Sequence, residues 1–220
     1  MSVLPDTGLV DVWPLDWDPS ESNGDLHAKI QDPLTPPLLM HLEQGVAGPT
    51  VLKEAPKTLI ADGLVITQRE AISVDGERIP YVQTSPKQET GEVPVHMSGD
   101  GGFGISVKPY YNSALGKLWL ERGGTTVQAH LRGGEFGTRW HDAGQLAGKR
   151  LSHDDFASVA ADLVRRGVTQ AKRIAAEGGS NGSILITNML TRYPKCFGAP
   201  FCTIPLISMS RYTKLLAGAS

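Results

Sequence analysis

The sequence is poor in the features that mark most specialised proteins. Only two cysteines occur in 220 residues, Cys196 and Cys202. Two thiols build no disulfide framework and, without a second pair, no zinc site, so both are expected as half-buried thiols in a reducing compartment. No apolar run is long enough to span a bilayer. The opening stretch MSVLPDTGLVDVW has neither the basic nor the apolar region of a secretion signal. The formal net charge of −2 leaves no electrostatic case for nucleic acid or an anionic membrane. Metal-ligand spacings are missing. Residues 99–104 (GDGGFG) are glycine-rich but lack both the G-x-G-x-x-G spacing and the Lys-Ser/Thr pair of a phosphate cradle. These absences predict a soluble, cytoplasmic chain with no cofactor, no metal, no nucleic-acid partner and no membrane partner.

What is present is an ordinary globular composition, 40% hydrophobic, enough to bury a core. The first 55 residues differ from the rest. They hold short β-like runs at Gly8–Trp13 and Thr50–Leu52, separated by polar and proline-rich stretches (18–25 and 31–39) that read as turns. Their apolar positions are too few for an independent core. From about residue 60 the pattern regularises. Strands are expected over 64–74 and 78–83 around the hairpin signal Asp75-Gly76, then at 93–97 and 125–131, with a helix over 112–121. The clearest helix is 154–165, where Phe156, Val159, Ala160, Leu163 and Val164 form one apolar stripe. Ser152 or His153 is expected to open it, Asp154 and Asp155 to suit its positive end, and Gly167 to close it. A strand at 173–177, a helix from about 182 and a strand at 200–206 complete the order. Strands alternating with helices predict an α/β fold with a mostly parallel sheet.

Gly178-Gly179-Ser180-Asn181-Gly182 is a G-x-S-x-G placed between an expected strand and an expected helix. That setting is the one a nucleophile elbow needs. A sharp turn lifts the serine hydroxyl above the sheet and requires small neighbours. It also aims the N–H of the following residue, Asn181, at a developing oxyanion.

With Gly101-Gly102-Phe103 upstream, Arg132-Gly133-Gly134-Glu135-Phe136-Gly137 followed by Trp140-His141, and Asp154-Asp155-Phe156, this motif resembles the prolyl oligopeptidase family of serine peptidases. That resemblance implies a β-propeller paired with an α/β-hydrolase domain. Residues 1–55 would then be a β segment like the end of the propeller, and 56–220 the N-terminal part of a partial α/β-hydrolase fold. It implies an oligopeptide substrate cleaved through an acyl-enzyme on Ser180, with Asn181 as an oxyanion donor. It also implies that Phe103 lines the substrate pocket; taken by itself, Phe103 reads equally as a core aromatic after a glycine turn. Arg132 and Glu135 are expected to hold loops together.

The sequence also departs from that family. The expected order is serine, then acid, then histidine, yet none of the 40 residues after Ser180 is Asp, Glu or His. All six histidines precede it; His141 and His153 are the least implausible to be recruited, though structural roles suit both better. Asp100 stands where the family places a tyrosine whose hydroxyl is the second oxyanion donor, Glu135 where a third glycine is usual, and Ser183 where a helix-packing glycine is usual. Three readings result: a serine peptidase domain present as a fragment, an esterase on the same elbow, or a catalytically inactive remnant or binding module. A sheet ending near residue 206 is also expected to expose an apolar edge, Phe201 to Leu206, inviting self-association or a complementing chain.

Overall fold

The computed structural model describes residues 8–214 except 17, 19, 21, 89 and 213. The reading of the chain start over residues 1–7, and the end of the chain from 215, lie outside the described residues. The elements run in the order β1 (Leu9–Pro14), β2 (Leu26–Gln31), β3 (Leu38–Leu42), β4 (Thr50–Glu54), β5 (Leu64–Ile72), β6 (Arg78–Pro86), β7 (Val95–Ser98), α1 (Ser113–Leu118), β8 (Thr125–Ala129), α2 (Thr138–Ala143), α3 (Lys149–Arg165), β9 (Ile174–Gly179), α4 (Asn181–Arg192), β10 (Ala199–Thr203) and α5 (Met209–Tyr212). No helix is long and apolar enough to cross a membrane among the described residues.

The chain divides into two units, one of Met1–Leu64 with Lys108–Arg122, the other of Val65–Val107 with Gly123–Ser220. In the first, β1 to β4 form an antiparallel sheet in chain order. Its core is small: Ala28, Ile30 and Met40 are buried, with Val10, Leu38 and Leu42 against them. Strands β2 and β3 take in Gln31, Leu38 and Leu39, the two ends of the stretch 31–39 expected to turn. The prolines at 36 and 37 sit just before β3 rather than inside it, where they cost no ladder bond. In the same unit the Tyr111 hydroxyl accepts the N–H groups of Thr58 and Leu59 at 2.9 and 2.8 Å.

The second unit is a six-stranded sheet in the order β10-β9-β7-β8-β6-β5. Strands β10, β9, β7 and β8 run parallel, and β6 is antiparallel to β8. Val95, Met97, Val127, Ile174 and Ala176 present one sheet face to Phe156, Val159 and Leu163 of α3 and to Leu185, Ile186 and Met189 of α4, all buried in one cluster. The expected alternation of strands and helices is therefore observed.

Two of the boundaries that moved have local causes. Helix α3 begins at Lys149, a full turn before the expected start. Ser152, His153, Asp154 and Asp155 lie inside it and are buried, so they are not its cap. Their side chains serve neighbouring elements instead: Ser152 Oγ donates to Arg132 O at 2.5 Å, and Asp155 accepts from Arg132. Strand β10 ends at Thr203 rather than continuing to 206, because Ile204 turns to φ 47° and Pro205 follows.

Candidate active site

Parallel strands place their following loops along one edge, and in open α/β sheets that edge is where ligands bind. Four loops meet that description: residues 99–104 after β7, 130–137 after β8, 180 after β9 and 204–206 after β10.

The turn after β9 is built on close approach. Ser180 has φ 51° and ψ −113°, left-handed backbone that an L-residue adopts only when its surroundings hold it there. A Cβ on Gly178 would lie 2.3 Å from Gly182 O, and one on Gly179 would lie 2.7 Å from Thr203 Oγ1. The helix therefore starts immediately at Asn181, tight against the strand that precedes it. The Ser180 N–H donates to Thr203 O at 3.1 Å. Ser180 is exposed, whereas Asn181, Gly182 and Ser183 are buried. The geometry is a strand–turn–helix with the serine at its apex.

The loop after β7 lies against this turn. Gly102 passes so near Asn181 that a Cβ there would meet Asn181 Nδ2 at 2.3 Å. The Asn181 side-chain amide donates to Asp100 Oδ1 at 2.9 Å. Lys149 Nζ donates to Gly101 O at 2.6 Å. Burial lowers the pKa of Lys149, and the nearby charge of Asp100 pulls it back up. Phe103 has φ 55° and is 75% exposed, so the core-aromatic alternative does not hold.

The loop after β8 is fixed by buried charge. Arg132, only 4% exposed, donates through Nε and Nη2 to Asp155 at 2.9 and 2.5 Å and through Nη1 to Asp75 at 2.5 Å. Hydrogen bonding to Asp155 raises the Arg132 pKa above its already high ordinary value, and bonding from Arg132 lowers that of Asp75. Glu135 accepts the Val107 N–H at 2.6 Å and faces His130 Nδ1 at 3.3 Å. A Cβ on Gly133 would sit 2.4 Å from Gly101 O, so the loops after β7 and β8 interlock.

No histidine is hydrogen-bonded to Ser180 among the described residues. His141 Nδ1 is 3.0 Å from Gly133 O and His153 Nδ1 is 3.3 Å from Arg192 Nη1. His96 Nε2 is 2.5 Å from Glu177 Oε2, and His41 Nε2 is 3.1 Å from Asp25 Oδ2. Burial, with Lys149 and Arg192 adding to it, lowers the His153 pKa to about 4. The described residues contain no His/Cys/Asp/Glu group placed to hold a metal ion.

Sequence reading singled out Ser180, Asn181 and Phe103, and missed Lys149, Thr203 and the tertiary roles of Asp75 and Asp155. Asp75 reads as a turn residue and Asp155 as a helix-start residue; nothing in their spacing signals a shared arginine.

A family model described as the prolyl oligopeptidase family matches residues 111–216. The chain is 38% identical over 172 residues to an uncharacterized peptidase of Sinorhizobium fredii, covering 77% of this chain and 24% of that protein. It is 30% identical over 198 residues to a prolyl endopeptidase of Elizabethkingia meningoseptica, covering 89% and 28%. The solved structure of a post-proline cleaving enzyme from Rickettsia typhi superposes with a TM-score of 0.86 at 27% identity, covering 95% of this chain and 30% of that one. The chain thus spans about a quarter of the length of the curated relatives it matches.

Proposed function

Since this chain belongs to the prolyl oligopeptidase family, we propose that it is the nucleophile-bearing part of a serine-type peptidase acting on oligopeptides. In this reading residues 1–55 are the last part of a β-propeller and 56–220 the N-terminal part of the α/β-hydrolase peptidase domain. The Ser180 hydroxyl attacks the scissile carbonyl, a base takes its proton, and the acyl-enzyme is released by water. The Asn181 main-chain N–H stabilises the oxyanion. Phe103, exposed on the neighbouring loop, lines the pocket for the substrate residue before the cut. The triad acid and base come from chain beyond residue 220 or from a complementing chain.

One observation carries this reading: Ser180 holds positive φ at the apex of a strand–turn–helix. That strain has no role in a plain glycine turn, where a glycine would adopt the same angles freely. A fluorophosphonate probe tests it. With the protein at its natural full length, labelling of wild type that disappears in Ser180→Ala is expected; folded full-length protein that never labels at Ser180 overturns the nucleophile role. The intact mass of the natural protein then decides how it is completed. A species much heavier than 23.6 kDa supports an acid and base in the same chain, and a species at that mass points to a complementing partner or to an inactive remnant.

A second reading is a catalytically inactive remnant or binding module. Asp100 favours it, since a carboxylate beside the turn repels a developing negative charge. An esterase on the same turn is separated from a peptidase by a panel of matched ester and peptide substrates.

A further inference from the structure

The turn that carries Ser180 is supported from outside itself, and the support converges on one buried hydroxyl. Ser183 has no solvent exposure. Its Oγ donates to the Ser180 carbonyl at 2.5 Å and accepts the Leu206 N–H at 2.8 Å. The Ser183 N–H also donates to the Ser180 carbonyl, at 3.1 Å. On the other side, the Ser180 N–H is held by Thr203 O at 3.1 Å. Both peptide groups flanking the Ser180 Cα are therefore tied, directly or through Ser183, to one short segment, residues 203–206. Ile204 within that segment is itself left-handed, with φ 47° and 80% of its surface exposed. A β-branched residue there is a genuine outlier.

A strained Ser180 is thus linked by three hydrogen bonds, directly and through Ser183, to the segment that holds the strained Ile204. Strain of this kind persists only where the surroundings over-determine it. The Cα–Cβ direction of Ser180, and with it the position of Oγ, follows from the two peptide planes that flank it. Ser183 is the only side chain that bonds to either of those planes among the described residues.

We infer that Ser183 is a positioning residue for the nucleophile: its hydroxyl locks the Ser180 peptide against the turn at 203–206 and so aims Oγ. The inference rests on Ser180 being the nucleophile. Its role is not to touch substrate. A small misplacement of reacting groups is enough to matter, since about 1 Å costs about 100-fold in rate.

The test is the kinetics of fluorophosphonate labelling at Ser180, with the protein at its natural full length. In that step the Oγ–P bond forms as P–F breaks, fluoride leaves, and the hydroxyl proton passes to the base or to water. Saturation kinetics separate the binding constant of the probe from the maximal inactivation rate. Ser183→Ala is expected to leave the binding constant unchanged and to lower the maximal rate about 10- to 100-fold. Ser183→Cys, whose thiol is a much weaker donor and acceptor, does the same should the alanine variant fold poorly. Ser183→Thr, which keeps the hydroxyl, restores the rate. Thr187→Val is the comparison for stability alone: it removes a hydroxyl bond to the Ser183 carbonyl on the same helix and leaves the maximal rate within about twofold. If wild type labels at Ser180 and Ser183→Ala labels equally fast, the positioning role is wrong and the nucleophile stands. If wild type does not label there, the nucleophile role fails and this inference falls with it.

Discussion

Arg132 and Asp155 meet through two hydrogen bonds, Nε to Oδ2 at 2.9 Å and Nη2 to Oδ1 at 2.5 Å, with the carboxylate fully sealed from solvent. The same guanidinium reaches Asp75, whose side chain is 39% exposed. One arginine thereby joins the β5–β6 turn, the loop after β8 and the interior of α3.

Unequal penalties are expected from its two acidic partners. Asp155→Ala leaves a buried guanidinium without its main counter-charge, and breaking a buried pair from one side costs about 3–5 kcal/mol. Asp75→Ala removes a solvent-screened partner and costs about 1 kcal/mol. Urea denaturation of both variants measures the difference. Equal costs would mean that the arginine is carried by neither carboxylate in particular.

Strain at the apex gives a prediction of opposite sign. Ser180→Gly frees a residue held at φ 51°, and such strain is worth about 1–3 kcal/mol. Part is lost to the greater freedom of glycine in the unfolded chain. The variant is expected to unfold at higher denaturant than Ser180→Ala while both lose fluorophosphonate labelling. A glycine variant less stable than the alanine variant would remove the evidence for strain.

Acid stability has a contributor in His153. Its folded pKa is lowered to about 4 by burial, with Lys149 and Arg192 adding to the effect and Asp154 opposing it, against an ordinary value of 6.5. Between these values the unfolded chain binds a proton that the folded one refuses, so stability rises with pH. The contribution is fully present above about pH 6.5 and is lost as pH falls through about 4. His153→Leu is expected to show a shallower loss of stability over this window and to run parallel to wild type above it. Parallel curves throughout would show that His153 does not titrate there.

Among the described residues β10 pairs with β9 and has no further neighbour in the sheet. Phe201 is 59% exposed on it, and an apolar open edge invites pairing with another chain. Phe201→Lys is expected to shift the protein toward monomer in sedimentation velocity. The substitution suits the strand, since position 201 lies in register with Glu177. An unchanged distribution would place any self-association elsewhere.

The parts of this architecture that announce themselves in sequence are those fixed by local periodicity. The stripe of Phe156, Val159, Ala160 and Leu163 gives α3, and the glycines around Ser180 give the turn. What escaped was set by partners distant in the chain. Leu26–Gln31 becomes a strand because β1 and β3 flank it, not because its composition demands one. Asp154 and Asp155 look like helix-start residues because short acidic side chains usually serve the first turn. Here Asp154 bonds Arg192 and Tyr193 of the neighbouring helix end, and Asp155 bonds Arg132. Helix α2 has a single buried residue, Trp140, too little for a period to be seen. The candidate site divides the same way: its serine is local, whereas its support at Thr203 and Leu206 is not.

The closeness of Gly102 to the Asn181 side chain has a consequence for how this protein tolerates change. Any side chain at 102 displaces the amide that holds Asp100, and any at 178 runs into the carbonyl of Gly182. Scored one substitution at a time, residues 99–102 and 178–182 would behave as a single intolerant block, although 75 positions of chain separate them. A side chain at 102 is therefore expected to be tolerated only with a matching change at Asn181.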